Sequence, residues 1–198
     1  MKDDLEVRCD YYNLEKKKNW PKIIFDKDWL MGVWYCPRSF QKQTFYGQYP
    51  LTYLTRVRLL FGNLRPFVHL FAGIVKPEAG EITIDNDTNL SVDYHCEATS
   101  LPFNDNTVKV IVADPPYSPT DAEHYFCKKY PKMKDVFLEC DRVLDYGGYL
   151  CFLHTHLLSI PLRTSLKLRG TIGILTGTNA RFRLLSIYRK EHKAEEEK

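Results

Sequence analysis

The run Val108-Lys-Val-Ile-Val-Ala113 is almost wholly apolar and β-branched, and it ends abruptly in Asp114-Pro115-Pro116-Tyr117. A short run of this kind predicts a strand buried on both faces, the central position of a parallel sheet. The two prolines then stop the pairing, because neither has an N–H to offer a ladder. An acidic side chain is thereby delivered to the carboxyl end of the strand, where open α/β sheets hold their ligands. One segment therefore constrains both the fold class and the place to look for chemistry.

The rest of the chain is consistent with that frame. Residues 1–19 are polar and lysine-rich with no sustained period, and read as a loose arm. Residues 20–50 hold Trp20, Trp29, Trp34, Tyr35, Phe40, Phe45, Tyr46 and Tyr49, punctuated by Pro21, Pro37 and Pro50. Apolar residues at 51, 54, 57, 60 and 61 have the helical period, with Pro50 at the start and Gly62 at the stop. Strands are expected at 67–71, 81–85, 91–96, 108–113 and 149–154, and a helix over 121–145. Segments 171–176 and 181–189, around Gly177-Thr-Asn-Ala, read as a terminal β-hairpin, and 191–198 as a charged tail. The expected fold is a Rossmann-like α/β sandwich: a mostly parallel sheet with a C-terminal antiparallel hairpin. The expected division is an N-terminal arm over 1–50, available for substrate or partner contact, a catalytic domain over 51–190, and the tail.

Composition excludes several classes. No stretch reaches the ~18 apolar residues of a membrane helix; the longest candidate, 147–162, is interrupted by His154 and His156. The first residues, Met1-Lys-Asp-Asp-Leu-Glu, are charged where a secretion signal is apolar, so an intracellular protein is expected, not a secreted one. Cys9, Cys36, Cys96, Cys127, Cys140 and Cys151 are scattered without metal-ligand spacing, which reads as isolated reduced thiols and no metal site. His154 and His156 lack a third ligand and read as site-lining or core histidines. The formal charge of +3 conceals +6 over 1–77, −8 over 78–145 and +5 over 146–198. Basic flanks of this kind suit a polyanionic partner.

Asp114-Pro115-Pro116-Tyr117 combines groups that suit one flat amine. The Asp carboxylate and the Pro115 carbonyl can each accept one hydrogen of an amino group, and the Tyr117 ring offers a stacking face. An amine conjugated to a ring is a poor nucleophile because its lone pair is delocalised. Accepting both hydrogens in a tetrahedral arrangement returns the lone pair to nitrogen, through positioning and electrostatics.

With these residues in order, the segment from about 66 to 190 resembles the class I S-adenosylmethionine-dependent methyltransferases. More narrowly it is similar to the amino-methyltransferases with a [DNS]-P-P-[YFW] motif, known from DNA adenine-N6 and cytosine-N4 enzymes. The likeness is carried by Phe71-Ala72-Gly73, Asp85, Glu97-Ala98-Thr-Ser-Leu-Pro-Phe103, Asp114–Tyr117 and Glu139-Cys-Asp-Arg-Val-Leu-Asp-Tyr-Gly-Gly148. The resemblance implies S-adenosyl-L-methionine as cofactor, held by Phe71, Ala72, Gly73, Asp85, Glu97, Ala98 and Asp114. Gly73 would admit the methionine part, Asp85 (preferred to Asp87) would accept from the ribose hydroxyls, and Glu97 stands where the family usually has Asp, near the adenine. Asp114, Pro115, Pro116 and Tyr117 would be catalytic, and Tyr46, Tyr117, Arg181 and Arg183 would meet the substrate.

The expected partner is nucleic acid, DNA favoured over RNA, because seven basic and no acidic residues lie between Thr155 and Lys190. The leading acceptor is adenine N6 in DNA. Alternatives are an RNA base, a protein glutamine amide, or a non-catalytic binding subunit that keeps the fold. Val75-Lys-Pro replaces the family's second glycine, and the connections 72–80 and 86–90 are too short for the usual helices. Part of one sheet face is therefore expected to be covered by residues 20–50, by a second copy of the chain in a homodimer, or by a partner subunit.

Overall fold

Residues 108–113 form an inner strand in the computed structural model, which describes residues 2–37, 49–124, 130–177 and 180–192. In chain order the elements are α1 (Asp4–Glu15), β1 (Ile24–Asp26), β2 (Trp29–Tyr35), α2 (Tyr53–Phe61), β3 (Phe67–Leu70), β4 (Glu81–Asp85) and β5 (Tyr94–His95). They continue with β6 (Val108–Ala113), α3 (Pro119–His124), α4 (Met133–Val143), β7 (Leu144–His154), β8 (Leu166–Leu175) and β9 (Arg183–Lys190). Among the described residues the strands join one sheet in the order β1-β2-β8-β9-β7-β6-β3-β4-β5. Pairing is parallel from β7 through β6, β3 and β4 to β5, and antiparallel where β9 lies between β7 and β8. The fold is thus the Rossmann-like, mostly parallel sandwich with a C-terminal antiparallel hairpin that the sequence leads one to expect.

Two apolar layers hold the sheet. On one face Phe67, Val110, Val112, Tyr149, Cys151, Leu185 and Ile187 pack with Leu5, Cys9 and Tyr12 of α1 and Val57, Leu60 and Phe61 of α2. On the other, Val68, Leu70, Ile84, Ile111 and Phe152 pack with Val136, Phe137, Cys140 and Val143 of α4. Alternation along β3 and β6 sends successive residues to opposite layers, as a pleated strand requires.

Several local expectations are corrected. Residues 1–19 are not a loose arm, because α1 is capped by the Asp3 carboxylate, which accepts from the Leu5 N–H at 2.8 Å. Leu5, Arg8, Cys9 and Tyr12 do recur at helical spacing, but a cysteine and an arginine in the buried stripe mask the period. The helix expected over 121–145 is divided into α3 and α4, since Pro131 cannot supply an N–H to a continuous helix. The strand expected at 91–96 shortens to β5. Gly147 and Gly148 do not precede the fifth strand; they lie within β7. There Val108 pairs with Leu144 but Val110 with Tyr149, so the extra residues bulge out. Gly147 has φ +78, and a Cβ on Gly148 would lie 2.8 Å from the Asp145 carbonyl oxygen, so this bulge requires small residues.

The connections 71–80 and 86–93 carry no helix, as their length requires. Residues 20–36 do not cover β3–β5, however. Trp20, Ile23, Leu30 and Trp34 join the layer of α1 and α2, and β2 extends the opposite end of the sheet by pairing with β8. On the other face of that end, Met31, Val33, Tyr35 and Leu175 are exposed, because residues 155–165 form no helix above them. No helix among the described residues is long and apolar enough to cross a membrane.

Candidate active site

Parallel register places the strand exits in one row. Leu70 pairs with both Ile84 and Ala113, Asp85 with His95, and Ala113 with Phe152. The residues that follow, at 71–73, 85, 96–98, 114–117 and 153–154, therefore share the carboxyl edge of the sheet. Register alone brings together side chains more than eighty residues apart in sequence.

At one end of this row the β3–β4 turn is built around Asp85. Phe71 and Gly73 both have positive φ, at 60° and 55°. The chain thereby doubles back so that the Gly73 N–H donates to Asp85 Oδ2 at 2.9 Å, while the Asp87 N–H donates to Oδ1 at 3.1 Å. Asp87 itself accepts from the backbone N–H and side chain of Asn89, closing its own turn rather than facing the glycine. A narrow cleft, with room for only about one water (≈ 10 Å³), is lined by Phe71, Asp85, Asn86, Glu97, Ala98 and Pro131 among others. Glu97 reaches Asn86, whose side-chain amide donates to Oε1 at 3.2 Å, and Ala98 is buried beside it. Ala72 is buried under the turn.

The loop that carries Glu97 and Ala98 is pinned from α4. Glu139 Oε1 accepts from the Leu101 N–H at 2.6 Å. Arg142 donates to Glu139, to Asp105 and to the carbonyls of Leu101 and Phe103. The Glu-x-x-Arg spacing thus puts both side chains one helical turn apart on the face turned to this loop. Its work is to fix loop position.

At the other end lies Asp114, whose side chain is only 6% exposed. Tyr117 Oη donates to Asp114 Oδ1 at 2.5 Å, and Arg183 Nη1 stands 3.7 Å from Oδ2. Burial pushes the Asp114 carboxyl up to about 6, against the opposing pull of the Arg183 charge and the Tyr117 hydroxyl. Pro115 and Pro116 are buried and hold this geometry. The Tyr117 ring has His154 against it edge-on, with centroids 5.1 Å apart, and the guanidinium carbons of Arg183 and Arg181 at 5.4 and 5.8 Å from its centroid. Arg181 is also bound to Asp121 of α3 at 3.0 Å. His154 is 1% exposed, and burial together with neighbouring His156 lowers it to about 4, so it is neutral at physiological pH. Tyr49 stacks on Tyr53 behind the site and donates to the Val112 carbonyl at 3.4 Å.

Phe71, Ala72, Gly73, Asp85, Glu97 and Ala98 are thus gathered at one end of the row, and Asp114, Pro115, Pro116, Tyr117, Arg181 and Arg183 at the other. Tyr46 lies outside the described residues. Sequence reasoning did not pair Arg183 with Asp114 or Arg181 with Asp121. No local signal joins residues so far apart in the chain. The histidines after the fifth strand did carry such a signal, by position.

No family model and no curated protein matches this chain. Among solved structures, it is similar to geranyl diphosphate C-methyltransferase from Streptomyces coelicolor A3(2), in complex with Mg2+, geranyl diphosphate and S-adenosyl-L-homocysteine. That similarity has 10% identity and a TM-score of 0.40, over 96% of this chain and 99% of that one.

Proposed function

We propose that this protein is an S-adenosyl-L-methionine-dependent methyltransferase acting on an exocyclic amino group of a nucleobase, with adenine N6 in DNA the favoured acceptor. The observation that carries the reading is the buried Asp114 carboxyl at the exit of the central strand, tied to Tyr117 and in one row with Gly73, Asp85 and Glu97.

The polar groups at the cofactor end suit the cofactor, although the cleft must widen to admit it. Gly73 presents backbone without a Cβ, and Asp85 keeps lone pairs beyond the two used by backbone N–H groups. Asp85 would accept from the ribose hydroxyls and Glu97 would approach the adenine edge. When bound, the cofactor supplies an electrophilic methyl group.

The chain's own residues prepare the acceptor. Asp114 accepts one N–H of the amino group and the Pro115 carbonyl accepts the other, so nitrogen keeps its lone pair available. Tyr117, fixed by its hydroxyl bond to Asp114, presents a ring face to the flat base. The amino nitrogen sheds a proton once it gains the methyl group, and a carboxyl that titrates at about 6 can take it at neutral pH. A base within a duplex has to be turned out of the stack to reach this edge.

Tritiated methyl transfer to duplex DNA, single-stranded DNA, RNA and protein, followed by nucleoside analysis, tests the reading. N6-methyladenine in DNA is the expected product, abolished by Asp114→Ala with cofactor affinity retained. Label in RNA or protein alone would replace the acceptor, and no cofactor binding by calorimetry would remove the enzyme reading.

A further inference from the structure

Arg183 opens β9 beside the end of β7, where Leu184 pairs with His154. Its side chain is 20% exposed. It lies close to both the Asp114 carboxylate and the Tyr117 ring, the pair joined by the Tyr117 hydroxyl.

A guanidinium is planar, carries N–H donors at its edge and stacks on aromatic faces. An amino-bearing heterocycle has the same three properties. Asp114 Oδ1 is taken by Tyr117, which leaves Oδ2 as the oxygen that faces any incoming donor, and Arg183 Nη1 is 3.7 Å from it. The same guanidinium has its carbon 5.4 Å from the centroid of the ring on which a base would stack. One side chain therefore stands close to two of the groups that an acceptor would meet, the Asp114 carboxylate and the Tyr117 ring.

We propose that Arg183 is a built-in occupant of the acceptor subsite and a specificity-determining residue, resting on the nucleobase reading above: its guanidinium holds the place of the base, and an acceptor enters by displacing it. A flat ring with an amino group replaces both contacts. A flat ring without one replaces only the stack and leaves a buried carboxylate without its charge partner, which is costly. The occupant thus sets a threshold that amino-bearing rings pass and other flat rings do not.

The test uses the full chain and the variants Arg183→Ala and Arg183→Gln, at pH 8 with S-adenosylhomocysteine present. Equilibrium dialysis measures radiolabelled adenosine and its analogue without the amino group, purine riboside. Fluorescence anisotropy measures mixed-sequence single-stranded DNA across salt. Occupancy of the subsite for nine-tenths of the time predicts that Arg183→Ala binds adenosine about tenfold more tightly, because apparent affinity scales with the competent fraction. It also predicts that adenosine is preferred to purine riboside less strongly than by the parent, with the salt slope of DNA binding unchanged.

Adenosine affinity that is unchanged or weaker overturns the proposal. So does a salt slope reduced by about one, which would make Arg183 a phosphate contact. Arg183→Gln decides the matter if circular dichroism shows the alanine variant to be unfolded. If adenosine binds none of these proteins, the nucleobase reading fails and methylguanidinium decides instead. Its binding to Arg183→Ala, lost when Asp114→Asn is added, supports the occupied subsite; its failure to bind overturns it.

Discussion

Replacing Asp114 by Asn should make the protein more stable near neutral pH while abolishing its proposed activity. The Asp114 side chain is 6% exposed and its carboxyl titrates at about 6, against 3.8 for an unperturbed aspartate. The gap is roughly two units, and each unit corresponds to about 1.4 kcal/mol, so ionisation costs the fold up to about 3 kcal/mol. The sign follows from proton binding. Below the unfolded value both states are protonated and there is no cost. As pH rises toward 6 the unfolded carboxyl has ionised while the folded one holds its proton, so wild-type stability falls, and the loss is complete about one unit above 6. An amide has the same shape and can still accept from Tyr117, but it carries no charge. Arg183 no longer faces the Asp114 charge in the variant, which offsets part of the gain. The expected advantage of Asp114→Asn is therefore about 1 to 3 kcal/mol at pH 8, shrinking to near zero at pH 4. Urea unfolding followed by tryptophan fluorescence at one-unit steps from pH 4 to pH 8 measures it. A variant no more stable than the parent at pH 8, or an advantage that does not fall toward pH 4, would refute the claim that this carboxylate is held ionised at the expense of the fold.

Other expectations follow from the same geometry. Glu81 is fully buried and accepts from Arg58 at 2.7 and 2.9 Å, from the Glu78 N–H at 2.9 Å, and bonds His69 at 2.9 Å. Despite burial, these partners hold its carboxyl well below the usual range, so its contribution is present above about pH 4.5 and persists until strongly acid pH. Glu81→Gln should cost about 1–3 kcal/mol in urea unfolding at pH 7, since it removes the buried charge shared by Arg58 and His69 while Glu78 still faces Arg58 at 3.3 Å. Asp85→Ala should reduce cofactor affinity by more than tenfold in calorimetry with an unchanged circular dichroism spectrum; undiminished affinity would remove Asp85 from the cofactor site.

What was legible in the sequence is what local chemistry decides. The inner strand and its abrupt end follow from Val108–Ala113 and two prolines, and the hairpin from its turn residues. Asp85 closes a short β-branched run, whereas Glu97 was marked only by the resemblance, and the parallel sheet brings both strand exits into one row. What escaped depends on contacts between distant segments. The helix α1 buries Arg8 in its apolar stripe because the guanidinium finds Asp4, Asn63 and the Leu60 carbonyl, a satisfaction that a hydrophobicity pattern cannot register. The basic run after Thr155 suits a face turned to phosphate, yet Arg181 and Arg183 end beside Asp121 and Asp114. Charge counted along a chain gives the sign of a segment; only the fold decides whether that charge faces solvent or neutralises a buried acid. Here the acid that most needs a counterion is the one at the exit of the central strand. The most sharply specified local feature of the sequence is therefore completed by a residue nearly seventy positions away, and the electrostatics of Asp114 cannot be derived from its own motif.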